Sequence, residues 1–561
     1  MKLVKINRLL NPLYLLIIIS IGAVLRFYKL DWGEGYFFHP DEYHLTISVN
    51  QLSYPSQMHP HLFSYGSFPV YLIYFTKLIF NLETSPFLIG RFYSALFSTL
   101  TIVVIYKISL ELFKERKNYA YLSTFFVAIT PGLIQQAHFS TPESNLTFFL
   151  MITLLLLIKW FEKDKLKYYL ASASSLGVAA GTKIVATTFL PLALLSPFIK
   201  VLEIKGLLRK IFALIKSYFS SSIFILITFL SFFIVFPYAI LDFKGLRSSM
   251  NYEFAVASGK QIVFYNRAFI GTKPILFQLT KILPYALGIP LLIFGIAGFL
   301  IMSIHLVDDS INKRRINSIL LAILSSFLFF FLPNALLYAK WTRFIAPTFP
   351  FFSIFAAYAF YQLFLKSQNS PIISLFLKAL AILLMVSTSV WTLSFWSIYS
   401  HQDSRISATG WINKNIPKNS YILTETGNTL EAPLTGEYTK IPFDFYNLDE
   451  RYELKNELVD HLVKSDYFII QSRRIFINHQ NQPYQFPLTS RFYDLLFSEQ
   501  LGFEKIQEFN SYPQLSIGHL SFVIPDELAE ETWSVFDHPV IRVYKKVNPK
   551  EALEYEKLLE I

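Results

Sequence analysis

The sequence contains no cysteine among its 561 residues. It can therefore form no disulfide, and it offers no thiolate nucleophile, no cysteine-ligated zinc and no attachment site for c-type haem. It also lacks a Walker-type phosphate loop, a dinucleotide-binding glycine fingerprint after a strand, and a His-Glu-x-x-His helix. These absences exclude thiol chemistry and argue against the common nucleotide-binding and zinc-peptidase classes. The sequence shows no internal repeat and no low-complexity segment.

Charged residues are scarce, at 16% of the chain, whereas hydrophobic residues make up 53% and aromatic residues 17%. The mean hydropathy of +0.41 is far above that of an ordinary soluble domain. Apolar stretches of about 20 residues can cross a hydrocarbon core of about 30 Å as helices. The sequence therefore predicts a polytopic α-helical membrane protein with about eleven transmembrane helices. The predicted spans are 12–30, 86–113, 119–137, 144–161, 168–182, 184–200, 216–236, 281–304, 316–336, 345–365 and 372–396.

The net charge of +11 could indicate a nucleic-acid partner, but the basic residues lie in short loops between apolar spans rather than in one patch. No nucleic acid is therefore expected. An odd number of spans puts the two termini on opposite sides, and the basic loops all fall on the N-terminal side. The positive-inside rule makes that side cytoplasmic. These loops carry Lys114, Arg116 and Lys117; Lys163, Lys165 and Lys167; Lys205, Arg209 and Lys210; and Lys313, Arg314 and Arg315.

Two N-terminal segments bear on this topology. The apolar run from Pro12 to Leu25 has no clear small-x-small cleavage site, so we favour a retained span over a signal peptide. The first external loop is predicted over 31–85, and its segment 68–82 is short and interrupted for a span. We expect this segment to lie in the interface or to re-enter the membrane. If it crossed the membrane, every later loop would be assigned to the opposite side, and the pattern of basic loops argues against that. The expected location is the plasma (cytoplasmic) membrane, with the N-terminus in the cytoplasm.

The character of the sequence changes near residue 400. From 401 to 561 charges are frequent and apolar runs shorten to four to six residues. We therefore predict a membrane domain over 1–400 and a soluble extracytoplasmic α/β or α+β domain over 401–561. The predicted strands are 421–424, 467–471 and 540–544, and the predicted helices are 453–464 and 490–501.

Two acidic motifs begin where an apolar span has just emerged on the predicted external face. The run His39 to Glu42 follows the first span, and the run Thr141 to Glu143 follows the third. In each, a proline suits the first position of a helix, and the acids could simply cap the helix or complement its dipole. Alternatively, a carboxylate accepts a proton from an attacking hydroxyl or helps to bind a divalent cation. Two acidic helix starts on one face favour a convergent site.

Three basic residues on the same face could hold a phosphate. Lys183 lies where two apolar runs meet, Arg343 lies just before the tenth span, and Arg91 lies near the start of the second. The alternative for each is a side chain that snorkels to the membrane interface. Lys183 has no charged neighbour to suggest an ordinary loop, which favours a functional role. His538, by contrast, is expected to lie in a turn before the last strand rather than to act as a ligand.

The order of these motifs resembles the GT-C glycosyltransferases, in the branch of protein O-mannosyltransferases and lipid A aminoarabinose transferases. The resemblance covers about residues 10–365. It rests on the external Asp-Glu pair, the second external acid, the run Gly181 to Lys183 and the run Arg343 to Pro350. The ending from Glu531 to Pro539 is of a type seen in bacterial members. The sequence departs from the family at Glu143, where many relatives have aspartate.

The resemblance implies a donor sugar on a polyprenyl phosphate and an acceptor hydroxyl on a protein, a lipid or a wall glycan. It implies Asp41 as the catalytic base, with Glu42 and Glu143 shaping the site or holding a divalent cation. The pair is not the Asp-x-Asp of strictly metal-dependent oligosaccharyltransferases, so the resemblance leaves the use of a divalent cation open. The residues expected to bind the donor or its phosphate are Lys183, Arg343, Arg91 and His39.

The implied reaction is a single displacement at the anomeric carbon, with inversion. The segment 68–82 could cover the site and exclude water. Two other classes remain open: a transporter or lipid flippase, and a non-catalytic assembly protein whose external domain binds envelope glycan. A transporter predicts ionisable residues near the bilayer midplane. The acids here cluster at one predicted surface, which favours the enzyme.

Overall fold

The computed structural model describes residues 2–114, 116–202, 204–311, 316–426 and 431–560, so the predicted basic loop at Lys313, Arg314 and Arg315 lies outside the described residues. The chain divides into two compact units. The first comprises Met1–Leu30, Asp41–Gln261 and Thr272–Leu393, and the second comprises Asp31–Pro40, Ile262–Gly271 and Ser394–Ile561.

The helices of the first unit follow the apolar runs of the sequence. They are α1 (Lys2–Phe27), α2 (Pro40–Asn50), α3 (Ser67–Ile79), α4 (Pro86–Phe113), α5 (Lys117–Ala128), α6 (Pro131–Ala137), α7 (Glu143–Lys163), α8 (Leu166–Thr182), α9 (Leu190–Leu202), α10 (Leu207–Val235), α11 (Tyr238–Leu241), α12 (Phe243–Ser258), α13 (Leu283–Leu287), α14 (Ile289–Ile311), α15 (Ser318–Ala335), α16 (Thr342–Ile345), α17 (Phe349–Lys366) and α18 (Pro371–Trp396). Short 3₁₀ segments lie at Ile184–Phe189, Ala346–Thr348 and Ser397–Ser400, and a π segment lies at Gln278–Ile282.

The prediction of a polytopic membrane protein is confirmed. Within the described part of the chain, eight helices are long and apolar enough to cross a membrane. The predicted spans at 12–30, 119–137 and 168–182 correspond to shorter helices, namely the apolar part of α1, the pair α5 and α6, and α8. The eight helices are Pro86–Phe113, Glu143–Lys163, Ile184–Val201, Leu207–Val235, Ile289–Ile311, Ser318–Ala335, Thr342–Lys366 and Pro371–Ser400.

The third predicted span is broken at Pro131. Proline has no N–H, so the carbonyl of Val127 loses its helical donor at this position. Arg26, which is fully buried, donates from Nη2 to the Val127 carbonyl at 3.0 Å and from Nη1 to the Ala128 carbonyl at 2.6 Å. Its Nε donates to Ser98 Oγ at 2.8 Å. The buried Arg26 thus supplies hydrogen-bond donors to the carbonyl groups at the helix break. Helix α6 follows the break and leads to the loop before Glu143.

The second unit is an α/β domain with a five-stranded sheet in the order β2-β1-β3-β7-β4. Strands β2, β1 and β3 are parallel, and β7 runs antiparallel to β3 and β4. Strands β5 and β6 form a separate hairpin. The elements are α19 (Ser404–Asn415), β1 (Tyr421–Glu425), β2 (Thr439–Phe443), α20 (Glu453–Lys464), β3 (Tyr467–Ile470), α21 (Arg474–Gln480), α22 (Pro487–Phe497), β4 (Phe503–Phe509), β5 (Gln514–Ile517), β6 (Leu520–Val523), α23 (Glu531–Ser534), β7 (Ile541–Lys546) and α24 (Ala552–Leu559).

Helices cover both faces of this sheet, so β3 is buried throughout and β1 is buried except at its first residue. On one face Ile422 and Ile469 pack with Ile412 of α19. On the other, Phe468 packs with the apolar faces of α20, α22 and α24, for example with Phe492. The predicted strands at 421–424, 467–471 and 540–544 and the predicted helices at 453–464 and 490–501 are confirmed, with small differences at their ends.

Candidate active site

Asp41 lies in the first turn of α2, which begins at Pro40 as the sequence predicts. Its carboxylate forms an ion pair with Arg343 of α16. The two side chains are 20% and 24% exposed, so solvent reaches both. Arg343 also lies over the ring of Trp341, with Cζ 5.3 Å from the ring centroid. The predicted base and a predicted phosphate ligand are therefore in direct contact.

Glu42 is fully buried and held by a two-pronged ion pair. Arg91 Nε donates to Glu42 Oε1 at 2.8 Å, and Nη2 donates to Oε2 at 2.6 Å. Oε1 also accepts the backbone N–H of Ser140 at 2.6 Å, and Arg91 Nη1 donates to the Leu30 carbonyl at 2.6 Å. Glu42 thus ties α2 to α4 and to the loop that precedes Glu143.

This arrangement changes the interpretation of Arg91. The sequence suggested a donor-phosphate ligand, but both members of the Arg91–Glu42 pair have no exposed side-chain surface. Buried ions need their partners to offset the cost of leaving water. The structure therefore supports Arg91 as the residue that fixes Glu42 and the adjacent loop.

Glu143 is the first residue of α7, and its Oε1 accepts a hydrogen bond from Lys183 Nζ at 2.8 Å. Lys183 ends α8 in an extended conformation and precedes the 3₁₀ segment at Ile184, so it lies at the predicted junction of two apolar runs. Glu143 is 1% exposed and Lys183 is 16% exposed. Among the described residues, Glu143 Oε2 is buried without a hydrogen-bond partner.

Tyr65 connects these two acid–cation pairs and was not singled out from the sequence. Arg343 Nη1 lies 3.4 Å from its hydroxyl oxygen, and Lys183 Nζ lies over its ring, 5.7 Å from the centroid. Burial, and then the carboxylates of Glu143 and Glu253, raise the pKa of Tyr65 well above its ordinary value. The hydroxyl is therefore a neutral donor at physiological pH. The pairs Asp41–Arg343 and Glu143–Lys183 converge on this side chain.

A close backbone contact brings Tyr65 to Lys183. Gly66 N–H donates to the Thr182 carbonyl at 3.0 Å. A Cβ added at Gly66 would lie 1.8 Å from the carbonyl oxygen of Gly181, a distance that no side chain tolerates. The glycine therefore permits the loop after Tyr65 to lie directly against the end of α8.

We expect Gly66→Ala to lower the activity of this site at least ~10-fold, because the added methyl forces the Tyr65 loop away from Lys183 and even a 1 Å displacement is costly. The measurement is the turnover rate of the purified variant. Gly410→Ala is the matched control, since a Cβ there meets no atom within 4 Å in the helical segment α19. A Gly66→Ala variant as active as the Gly410→Ala variant would contradict this role for the contact.

His39 lies in the second unit, where it is 2% exposed and its ring centroid is 4.2 Å from that of Phe536. The predicted site residues of the first unit are Asp41, Glu42, Glu143, Lys183, Arg343 and Arg91.

A divalent cation was also considered from the sequence. Asp41 and Glu143 are each engaged by a basic side chain, and Glu42 is saturated by Arg91 and Ser140. No group of three or more histidine, aspartate or glutamate side chains in the described ranges is arranged to hold a metal ion.

Comparison with protein-family models matches residues 67–235 to the dolichyl-phosphate-mannose-protein mannosyltransferase family. This segment contains Arg91, Glu143 and Lys183. A search of curated protein sequences gave no significant match.

Several solved structures are similar to this chain. The oligosaccharyltransferase AglB from Archaeoglobus fulgidus, solved with an inhibitory peptide and a dolichol-phosphate, has a TM-score of 0.54 and 15% identity, over 87% of this chain and 72% of its own. The apo form of the A. fulgidus oligosaccharyltransferase has a TM-score of 0.52 and 15% identity, over 86% and 72%. ArnT from Cupriavidus metallidurans, bound to undecaprenyl phosphate, has a TM-score of 0.48 and 14% identity, over 94% and 97%. The chain thus shares its fold with the two oligosaccharyltransferase structures, and its residues 67–235 are similar to the mannosyltransferase family.

Proposed function

We propose that this chain transfers a sugar from a polyprenyl phosphate to an acceptor hydroxyl on the extracytoplasmic face of the plasma membrane. The main observation in support is that the ion pairs Asp41–Arg343 and Glu143–Lys183 both contact Tyr65. The two acids can orient an attacking hydroxyl and accept its proton, and the two cations can bind a phosphate that leaves with added negative charge. The mannosyltransferase family match and the GT-C fold support a lipid-linked donor.

The reaction is a single displacement with inversion at the anomeric carbon. The oxygen of the acceptor hydroxyl forms a bond to that carbon, while the bond from the carbon to the phosphate oxygen breaks. The bonding electron pair leaves with polyprenyl phosphate, which gains one negative charge. Asp41 takes the proton of the acceptor hydroxyl. No covalent enzyme intermediate is involved.

Lys183 and Arg343 supply the charge for the departing phosphate. Arg343 presents a planar fork that binds carboxylate and phosphate oxygens alike, so it can contact Asp41 and the donor together. Lys183 acts as a point charge over the Tyr65 ring. These two cations stabilise the negative charge that grows on the phosphate, so they bind the transition state more strongly than the bound sugar donor.

Glu143 is placed to orient the acceptor or the donor sugar. One carboxylate oxygen is bound by Lys183, while Oε2 accepts no hydrogen bond from the described residues. An unsatisfied buried carboxylate oxygen is costly unless a donor reaches it. A hydroxyl group of a substrate would supply that donor.

The positions of the charges favour an enzyme over a transporter. Asp41 and Glu42 lie in the first turn of α2, and Glu143 begins α7. Lys183 ends α8, and Arg343 lies in the short α16 before the long α17. Each charge thus lies at the end of a helix, whereas a transport pathway places ionisable residues along the interior of its spans.

The test is turnover of purified full-length protein in lipid nanodiscs with a panel of polyprenyl-phosphate sugars and an extract of cell-envelope acceptors. Mass spectrometry follows the appearance of free polyprenyl phosphate and of glycosylated acceptor. We expect one donor to be consumed in step with acceptor glycosylation. Wild-type protein that binds polyprenyl phosphate but consumes no donor of the panel would argue against the proposal.

We expect Lys183→Met to raise the Kd for undecaprenyl phosphate about 10- to 100-fold, the range set by loss of one charge-assisted hydrogen bond. Binding is measured by calorimetry on folded protein, checked by its thermal unfolding. Lys200→Met is the matched control, because Lys200 also pairs with an acid, Asp164, at 2.5 Å. Equal Kd values for the two variants would remove Lys183 from the phosphate site.

A further inference from the structure

We propose that the second unit holds the residues directly before Asp41, and that Arg405 and Phe38 are positioning residues for the base. This inference rests on the proposed function and gives the soluble domain a task in the reaction. Segment Asp31–Pro40 belongs to the second unit although it precedes α2 in the sequence. The chain passes from Pro40 to Asp41 by one peptide bond.

Arg405 presents a flat guanidinium to Phe38. Its Cζ lies 3.7 Å from the centroid of the Phe38 ring, and both side chains are buried. Asp403 binds one edge of the guanidinium, accepting hydrogen bonds from Nε at 2.9 Å and from Nη2 at 2.6 Å. Nη2 also donates to the Phe536 carbonyl at 2.7 Å. The arginine is therefore fixed on its edges, and its face is left to stack on the ring.

Two more contacts hold the same segment. The His39 ring packs on Phe536, with a centroid distance of 4.2 Å. Gln402 Nε2 donates to Glu34 Oε1 at 3.1 Å. The contacts at 34, 38 and 39 run up to the residue before α2, so the segment is held along its length.

Phe536 is itself fixed by a buried polar cluster. His538 lies between Asp537, 2.5 Å from Nδ1, and Asp526, 2.8 Å from Nε2. Trp533 donates to Asp526 at 2.9 Å, and Tyr399 donates to Asp537 at 2.9 Å. Although burial opposes the charge, the two carboxylates raise the pKa of His538 to about 10, so it stays cationic at neutral pH. His538 follows α23 and precedes β7, as predicted, and it also anchors the two acids.

Phe38 lies only three positions before Asp41, so a displacement of Phe38 also displaces Asp41. Pro40 transmits it, because its ring fixes φ and leaves few torsions to absorb a displacement. A base must lie within hydrogen-bond reach of its proton, and a displacement of about 1 Å can cost about 100-fold in rate. Loss of the Arg405–Phe38 stack should therefore lower kcat and leave donor binding in place.

The test compares Phe38→Leu and Arg405→Lys in the full chain. The lysine keeps the charge but loses the flat face and the fork. We expect kcat to fall about 10- to 100-fold with the KM for the donor within about threefold of wild type. Hydrogen exchange should rise at 31–45 and stay unchanged in the buried strand β3.

Arg542→Lys is the matched control. Arg542 also forms a fork with a carboxylate, Glu527, and its Cζ lies 5.4 Å from the centroid of the Phe476 ring. It lies in β7 rather than beside the segment before α2. We expect this variant to retain wild-type kcat and wild-type exchange at 31–45.

Two results would overturn the inference. One is that Arg405→Lys and Phe38→Leu both keep kcat within about twofold of wild type, whereas Asp41→Asn is inactive. The other is an equal loss in Arg542→Lys, which would show a general effect of domain folding. If wild-type protein transfers no sugar, the proposed function fails, and hydrogen exchange at 31–45 still decides whether Arg405 holds the segment.

Discussion

Asp41→Asn is expected to lower sugar transfer about 10²- to 10⁴-fold, the range that general bases contribute. The amide has nearly the shape of the carboxylate, but it cannot accept the proton of the attacking hydroxyl. Arg343 loses its ionic partner in this variant, and its fork becomes more available to a phosphate. Donor affinity should therefore equal or exceed that of wild type while kcat falls. The measurement is kcat for transfer together with the Kd for undecaprenyl phosphate.

Asp164→Asn provides the control for this variant. Asp164 also pairs with a basic side chain, Lys200, but it is 80% exposed and follows α7 at the opposite end from Glu143. It should transfer sugar at the wild-type rate. If Asp41→Asn retained more than about a tenth of the wild-type kcat, Asp41 would not be the base.

The second large effect is on stability, at the Glu42–Arg91 pair. Both side chains are fully buried, so Arg91→Met leaves an ionised carboxylate without its partner. Breaking a buried pair in this way costs about 3–5 kcal/mol. We expect a much lower midpoint of unfolding in mixed detergent micelles, together with loss of transfer, because Glu42 also accepts the Ser140 N–H at 2.6 Å.

The double variant Glu42→Gln/Arg91→Met separates a lost charge partner from a lost side chain. It removes both charges, and replacing a whole buried pair by neutral groups is far less costly than removing one member. Its unfolding midpoint should therefore lie above that of Arg91→Met alone. A double variant less stable than Arg91→Met would show that the pair does not act as a unit.

The positions of the candidate acids at helix starts could be predicted, because each acid lies in the first turn of a helix, just after a proline. Pro40 and Pro142 mark these starts, and the structure has α2 and α7 there. The pairing of each acid could not be predicted, because the partners are distant in sequence. Asp41 and Arg343 are 302 residues apart, and Glu42 and Arg91 are 49 apart. Short motifs fix where a charge lies along the chain, whereas tertiary packing decides which cation it meets.

Tyr65 shows a different limit. The chain has 33 tyrosines, and no pattern distinguishes one that stacks beneath a lysine. Its neighbour Gly66 was a usable signal, since a glycine beside an aromatic residue allows close approach of another backbone. The contact itself, with Gly181, becomes visible only once α8 is in place.

The sheet of the second unit was predicted best at its centre. Strands β1, β3 and β7 were found from the sequence, because β3 is apolar throughout and β1 and β7 carry short apolar runs. The edge strands β2 and β4 were missed. Strand β2 contains Pro442, which an edge tolerates, and β4 carries exposed charges such as Glu504. Edge strands bury less surface, so their hydrophobic pattern is weaker.

The third membrane span illustrates a signal that was visible but outweighed. Its apolar length favoured one helix over 119–137, yet Pro131 splits it into α5 and α6. Arg26 satisfies the carbonyls exposed by the break, which a local sequence pattern does not show. The placement of segment Asp31–Pro40 in the second unit likewise depends on contacts such as Phe38 with Arg405.

The most direct test of the account is a cryo-EM structure of the full chain in nanodiscs with undecaprenyl phosphate bound. The account predicts phosphate density within hydrogen-bond distance of both Lys183 Nζ and the Arg343 guanidinium, beside the Tyr65 hydroxyl. Phosphate density elsewhere, or in contact with neither cation, would contradict it.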